Sequence, residues 1–255
     1  MKNLKRRFFI KISSLVAGGL VLPSFNINRM ANSANNKKLK VSVVGCGGRG
    51  TGAAVQALRA DENVELVAMA DAFKDRLEKS LNAIKQEFEG EKKIEVKEKN
   101  MLVGFNGYKK AIDLADVVIL ATPPGFRPLH FKYAIDQDKH VFMEKPVATD
   151  AHGVRQVLET AKVANQKKLN VVVGLQRRYQ YSYLNILKQV RRGVIGKITS
   201  GQVRWNGAGV WVRERQPNQT EMEYQMRNWY YFNWLCGDHI VEQHIHNIDV
   251  ATSML

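Results

Sequence analysis

Apolar and polar positions along the chain alternate between two textures. Leu39–Val44, Val64–Asp71, Asp116–Ala121, His140–Met143 and Val171–Gly174 are short runs rich in Val, Ile, Leu and Ala, the signature of strands buried on both faces. Between them lie stretches with apolar residues at helical spacing: Thr51–Arg59, Lys74–Phe88, Phe126–Asp136, and a helix capped at Thr149 or Asp150 that runs to about Lys168. Repeated strand–helix units predict an α/β fold with a doubly wound, right-handed parallel sheet, the Rossmann arrangement, over residues 38–175. Glu89–Lys99 is rich in lysine and glutamate and carries no clear period. From Gln176 the texture changes. Tyr181–Arg192 reads as a helix, Ile198–Trp205 alternates like a half-exposed strand, an aromatic polar segment spans Trp211 to Trp234, and Asp238–Leu255 reads as a final helix. Residues 176–255 are few for a substrate domain built on an open sheet. The expectation is an α/β substrate domain, incomplete at its C-terminus, in a C-terminally truncated fragment.

The first 36 residues hold Lys2, Lys5, Arg6, Arg7, Lys11 and Arg29 and no acidic residue, so they supply +6 of the formal net charge of +15. Arg6-Arg7 precede Phe8-Phe9-Ile10-Lys11 and a modest apolar run from Ile12 to Leu22. That run is too short for a bilayer, which needs about 20 residues. A basic start, an apolar middle and small residues near Ala31 and Ser33 predict a cleavable export signal over 1–33, followed by a linker at 34–37. The arginine pair favours the twin-arginine translocase and a periplasmic or otherwise exported protein; a basic membrane-surface anchor is the rival reading. The rest of the chain carries +9 (15 minus 6) as scattered pairs such as Lys92-Lys93 and Arg191-Arg192. Such pairs sit on solvated faces, and without a nucleic-acid-binding motif they argue against that class of partner and leave an anionic substrate or surface open. Cys46 and Cys236 suggest no disulfide framework.

Gly45-Cys46-Gly47-Gly48-Arg49-Gly50 stands between the first strand and the first helix, and Asp71 closes the second strand 21 residues after Gly50. This is a dinucleotide fingerprint in its proper setting. Gly45 permits the tight turn, Gly47 admits a pyrophosphate, Gly50 lets helix and strand pack closely, and the helix N-terminus offers free N–H groups. Asp71 can accept from both ribose hydroxyls and would repel a 2′-phosphate. No arginine follows it directly, so NAD is expected over NADP.

Two further groups carry chemistry. Glu144-Lys145-Pro146 ends a parallel strand, where such folds bind their ligands, and Pro146 keeps Lys145 extended. Lys145 there can exchange a proton with a substrate hydroxyl. Glu242 and His246 are four residues apart on the last helix, with Asp249 three further on, so the carboxylate can orient the imidazole as a base. A surface ion pair is the bland alternative. His239 lies on the same face, but His239–His244 misses the His-x-x-Glu-His zinc spacing by one residue, and no metal is expected.

With Gly45–Gly50, Asp71, Ala121-Thr122-Pro123-Pro124, His130, Glu144-Lys145-Pro146 and Gly237, Glu242, His246 and Asp249 in that order, the chain resembles the Gfo/Idh/MocA oxidoreductases. These are relatives of glucose–fructose oxidoreductase and inositol dehydrogenase. The resemblance spans about residues 38–255. It implies catalytic roles for Lys145 and His246 with Glu242, where the family has aspartate. It implies a cofactor site of Gly45, Cys46, Gly47, Gly48, Arg49, Gly50, Asp71, Thr122, Pro123, His130, Glu144 and Lys145. It further implies a carbohydrate or polyol substrate, a second domain with a large open sheet, and a homo-oligomer at full length. The expected activity is hydride transfer between a sugar, cyclitol or glycoside hydroxyl and NAD. The alternatives are an NAD-dependent glycosidase that oxidises C3 transiently, although the Thr-His-Gly pattern of those enzymes is missing, and a non-catalytic NAD- or sugar-binding protein.

Overall fold

The computed structural model describes residues 38–255. The segments expected to be an export signal (1–33) and a linker (34–37), with Arg6-Arg7, lie outside the described residues. Six parallel strands form one sheet in the order β3-β2-β1-β4-β5-β6. They are β1 (Leu39–Val44), β2 (Val64–Asp71), β3 (Met101–Val103), β4 (Val117–Leu120), β5 (His140–Met143) and β6 (Val171–Val173). This is the Rossmann order, and the crevice at the strand C-termini opens where the winding reverses, between β1 and β4.

Side-chain alternation on the strands feeds two cores. On one face Val43, Leu66 and Met69 pack against Leu58 of α1 (Gly48–Ala60) and Leu77 and Ile84 of α2 (Lys74–Glu87). On the other, Val44, Ala70 and Leu120 meet Ile112, Phe131 and Val157, from α3 (Gly107–Asp113), α4 (Arg127–Asp136) and α5 (Ala151–Gln166). Asp150 caps α5 by accepting from the Gly153 N–H at 2.6 Å. The stretch 89–99 joins the sheet through a bridge between Leu66 and Ile94, and Ile94 and Val96 pack against the first core.

After residue 175 come α6 (Tyr181–Arg191), α7 (Glu221–Arg227), α8 (Asn233–Cys236), a π-helical turn at Ile240–His244, and α9 (Ile245–Met254). Two expectations change here. Ile198–Trp205 forms no strand, because among the described residues no neighbour pairs with its backbone, and a lone extended segment does not make a sheet. The final helix is not one regular α-helix from Asp238. Gly237 adopts a left-handed φ of 75° after α8, and the π turn follows before α9 begins.

Candidate functional site

The glycine turn is built by close packing. Gly45 has φ +97°, and a Cβ there would lie 2.6 Å from the Ala121 carbonyl carbon and the Thr122 nitrogen. A Cβ at Gly50 would lie 1.9 Å from the Gly45 carbonyl oxygen, so α1 can approach β1 only because both positions are glycine. Gly47 is different. The nearest atom to a Cβ there is Arg76 Nη1, 3.8 Å away, and Gly48 faces open space. No side chain caps the N-terminus of α1, and its first turn holds no acid. Protein packing therefore does not demand glycine at 47 or 48, and these two positions hold a cradle clear.

The cradle forms one wall of a cleft of about 650 Å³ along the strand ends. Of the expected cofactor residues, Gly45, Gly47, Gly48, Arg49, Asp71, Thr122, Pro123 and His130 line it. Asp71 Oδ2 accepts from the Cys46 N–H at 2.7 Å and Oδ1 from the Phe73 N–H at 2.9 Å, so the backbone fixes the carboxylate at the cleft edge. Each oxygen keeps a lone pair for a ribose hydroxyl. Cys46 does not face the cleft; its thiol points at the Ala70 carbonyl, and burial raises its pKa well above the usual value. His130 is buried with Nδ1 3.2 Å from Thr122 Oγ1 and its ring centroid 4.3 Å from that of Tyr108. Burial, assisted by the charge of Arg127, pushes His130 down to about 3, so it is a neutral wall. An open glycine cradle, free helical N–H groups and a carboxylate set at the edge fit a dinucleotide.

Glu144 and Lys145 lie at the end of β5 and do not line this cleft. Arg49 joins the two regions: it lines the cleft, and its Nε donates to Glu144 Oε1 at 2.7 Å. Lys145 Nζ donates to Glu242 Oε1 at 3.0 Å and also to the Glu242 carbonyl oxygen. Both side chains are largely buried, 13% and 8% exposed. Burial raises the Glu242 pKa, and the charges of Lys145 and Arg127 oppose that rise.

The expected orientation of His246 by Glu242 is not what the structure shows. Glu242 holds Lys145, and its Oε2 has no partner among the described residues. His246 Nδ1 is buried and likewise without a partner. The π turn adds a residue to the helical repeat, so positions four apart no longer stack as they do on an α-helix. Asp249 pairs with Arg178 at 2.7 Å. His246 instead stacks on Trp205 at 5.8 Å, and burial, followed by the charges of Lys145 and Arg177, lowers its pKa to about 4. It is a neutral imidazole at pH 7.

Sequence reasoning missed Arg127. This buried guanidinium donates to the carbonyls of Thr122 and Pro146, tying the loops after β4 and β5 together. Its charge is balanced by Glu242 and Glu144, yet burial lowers its pKa to about 10. An arginine before a helical proline gives no signal of burial. The reading also missed Arg76, Trp211, Arg213 and Trp229 on the cleft wall, three of them from far along the chain.

The family described as "Oxidoreductase family, NAD-binding Rossmann fold" matches residues 39–174. A glycosyl hydrolase family 109 protein of Solibacter usitatus is 25% identical over 234 residues, which is 86% of this chain and 52% of that one. The alpha-N-acetylgalactosaminidase of Shewanella oneidensis is 26% identical over 251 residues, 90% of this chain and 50% of the relative. The chain thus spans about half the length of the curated relatives it matches. Among solved structures, the apo scyllo-inositol dehydrogenase of Lactobacillus casei superposes with a TM-score of 0.58 at 22% identity, covering 86% of this chain and 55% of that one. A crystal of scyllo-inositol dehydrogenase from the same organism with bound NAD(H) and scyllo-inositol gives 0.50 at 24%, covering 64% and 44%. The glycine cradle, the fixed Asp71, the parallel sheet order and the family match together identify the chain as a member of the Gfo/Idh/MocA oxidoreductase family, with an NAD-binding Rossmann domain at residues 39–174.

Proposed function

We propose that the protein is an NAD-dependent oxidoreductase acting on a sugar, cyclitol or glycoside hydroxyl. The observation that carries this reading is the meeting of Lys145, from the end of β5, with Glu242 of the last helical segment, which also carries the buried His246, at the end of the sheet where Arg49 of the glycine turn reaches Glu144. NAD⁺, when bound, supplies the acceptor for the hydride that leaves the carbinol carbon. Glu242 fixes Lys145 Nζ with its carboxylate and its carbonyl, which leaves the third ammonium hydrogen to bond the substrate oxygen. The hydroxyl proton passes to the neutral His246, while the third Lys145 hydrogen stabilises the substrate oxygen as its charge develops.

The glycosyl hydrolase family 109 relatives favour a second reading at the same site. In that reading the oxidation is transient, the aglycone is eliminated, water adds, and the sugar is reduced again. We further propose export through the twin-arginine route. Lys-Lys in place of Arg6-Arg7 should then hold the precursor in the cytoplasm, and continued export would refute that route.

The deciding experiment uses purified full-length protein. Polyols and glycosides are added with NAD while reduced nicotinamide and released aglycone are followed. Net reduced nicotinamide marks a dehydrogenase, whereas aglycone release without it marks the glycosidase. Lys145→Ala should slow either reaction roughly 10²–10⁴-fold with NAD affinity retained. Full turnover in both Lys145→Ala and His246→Ala would leave a binding protein as the better reading.

A further inference from the structure

The segment from Trp211 to Trp229 lies outside the family match at 39–174, yet it closes one side of the dinucleotide cleft. It is latched onto the turn after β2 and the first turn of α2. Arg227 makes a two-pronged bond to Asp75, 3.0 Å on each arm, and its guanidinium sits 4.0 Å over the Phe73 ring. Asn228 bonds the Arg213 backbone in both directions, at 2.9 and 2.8 Å. The latch sets Arg213 on the cleft rim.

Behind the glycine turn, between α1, α2 and this segment, lies a second cavity of about 740 Å³. Arg76 and Arg213 line both cavities. Arg227 is neutralised by Asp75 and Glu223. Among the described residues neither Arg76 nor Arg213 makes an ion pair. Burial lowers the pKa of Arg76; the charge of Asp71 opposes this, and those of Arg213 and Arg227 add to it. Arg76 Nη1 also faces the Gly47 position, the part of the turn that packing leaves open. Asp71 offsets part of the Arg76 charge without pairing with it, and two guanidiniums that line the same open turn are placed to share an anion between them.

We propose that Arg213, carried in by the latched segment, works with Arg76 as a phosphate grip for the dinucleotide, so that the Rossmann domain alone does not complete its cofactor site. The grip rests on the NAD-binding reading of the cleft. The chemistry recognised is a phosphate of the cofactor, either the pyrophosphate or the 2′-phosphate of NADP.

The test titrates the full chain with NAD, NADP and adenosine and follows tryptophan fluorescence, since Trp211 and Trp229 line the cleft. Arg76→Gln and Arg213→Gln should each weaken binding by about tenfold or more, the usual effect of losing a hydrogen bond to a charged group. Loss for NAD and NADP alike, with adenosine unchanged, assigns the pyrophosphate. Loss for NADP alone assigns the 2′-phosphate. Unchanged affinity for both nucleotides overturns the grip, whereas wild-type protein that binds neither overturns the cofactor reading itself. A measurement on unaltered protein covers variants that fold badly. Arginine-specific dicarbonyl labelling should be blocked by the nucleotide at Arg76 and Arg213 and not at exposed Arg155. Equal labelling of all three with and without nucleotide would likewise refute the proposal.

Discussion

Removing the Lys145–Glu242 contact tests the main difference between the expected and the observed site. At 3.0 Å and an effective dielectric near 20, the Coulomb attraction is about 5 kcal/mol. Both side chains are mostly buried, so solvent screens little of it. Breaking such a pair by removing one partner costs about 3–5 kcal/mol, because the other charge is left buried. Lys145→Met and Glu242→Leu should each destabilise the fold by that order, and the double variant should lose far less than their sum. The expected coupling energy is about 2–5 kcal/mol. The parallel cycle between Glu242 and His246 should give less than about 0.5 kcal/mol, since the two share no contact. Urea unfolding followed by tryptophan fluorescence, with all variants at one pH and salt concentration, supplies the four free energies for each cycle. A coupling below about 1 kcal/mol for Lys145–Glu242, the range of exposed surface pairs, would refute the reasoning. So would a larger coupling between Glu242 and His246, which would restore the simple α-helical geometry.

The glycine turn and the buried histidine give further predictions. Gly50→Ala should cost at least about 2 kcal/mol in thermal or urea unfolding, because its Cβ would sit 1.9 Å from the Gly45 oxygen; unchanged stability would mean that the α1–β1 packing is wrong. Gly47→Val should leave stability within about 0.5 kcal/mol and abolish NAD binding by calorimetry; retained affinity would remove the pyrophosphate from this turn. His130 has a folded pKa of about 3 against an ordinary 6.5, so the unfolded chain binds the extra proton between those values. Its contribution is therefore full above pH 6.5 and is lost as pH falls toward 3, at up to about 1.4 kcal/mol per pH unit. His130→Phe should flatten the pH dependence of stability across that window; an unaltered slope would show that His130 is protonated in the folded state.

The parts that were legible in the sequence are those governed by local rules. β1, β2 and β5 follow from short apolar runs, and the turn from glycine spacing. Three-residue β3 and seven-residue α3 are too short to show a period amid charged neighbours. Ile198–Trp205 alternates as a strand does, but alternation reports which faces differ and not whether a neighbour exists to pair with. The spacing of Glu242 and His246 assumed 3.6 residues per turn, and one π turn was enough to send the carboxylate to Lys145. Arg127 and Arg213 were invisible for a different reason. What places them is contact between segments distant in sequence: the carbonyls of two strand-end loops for one, and Asp75 and Phe73 against Arg227 for the other.

The parallel sheet has a consequence for the order of events in folding. β1, first of the described strands, is central, and its second neighbour is β4: Val41 pairs with Val117, and the Lys40 N–H reaches Asp116 across 76 residues. No two of these strands are joined by a hairpin, so no local pairing can nucleate the sheet. Loops must close before contacts compensate their lost entropy, which makes assembly slow and leaves apolar strands unpaired in the meantime. During synthesis β1 and β2 emerge well before β4 exists. A nascent chain paused in that interval presents two apolar edges, and it is in that interval, more than in the finished fold, that a chaperone has something to hold.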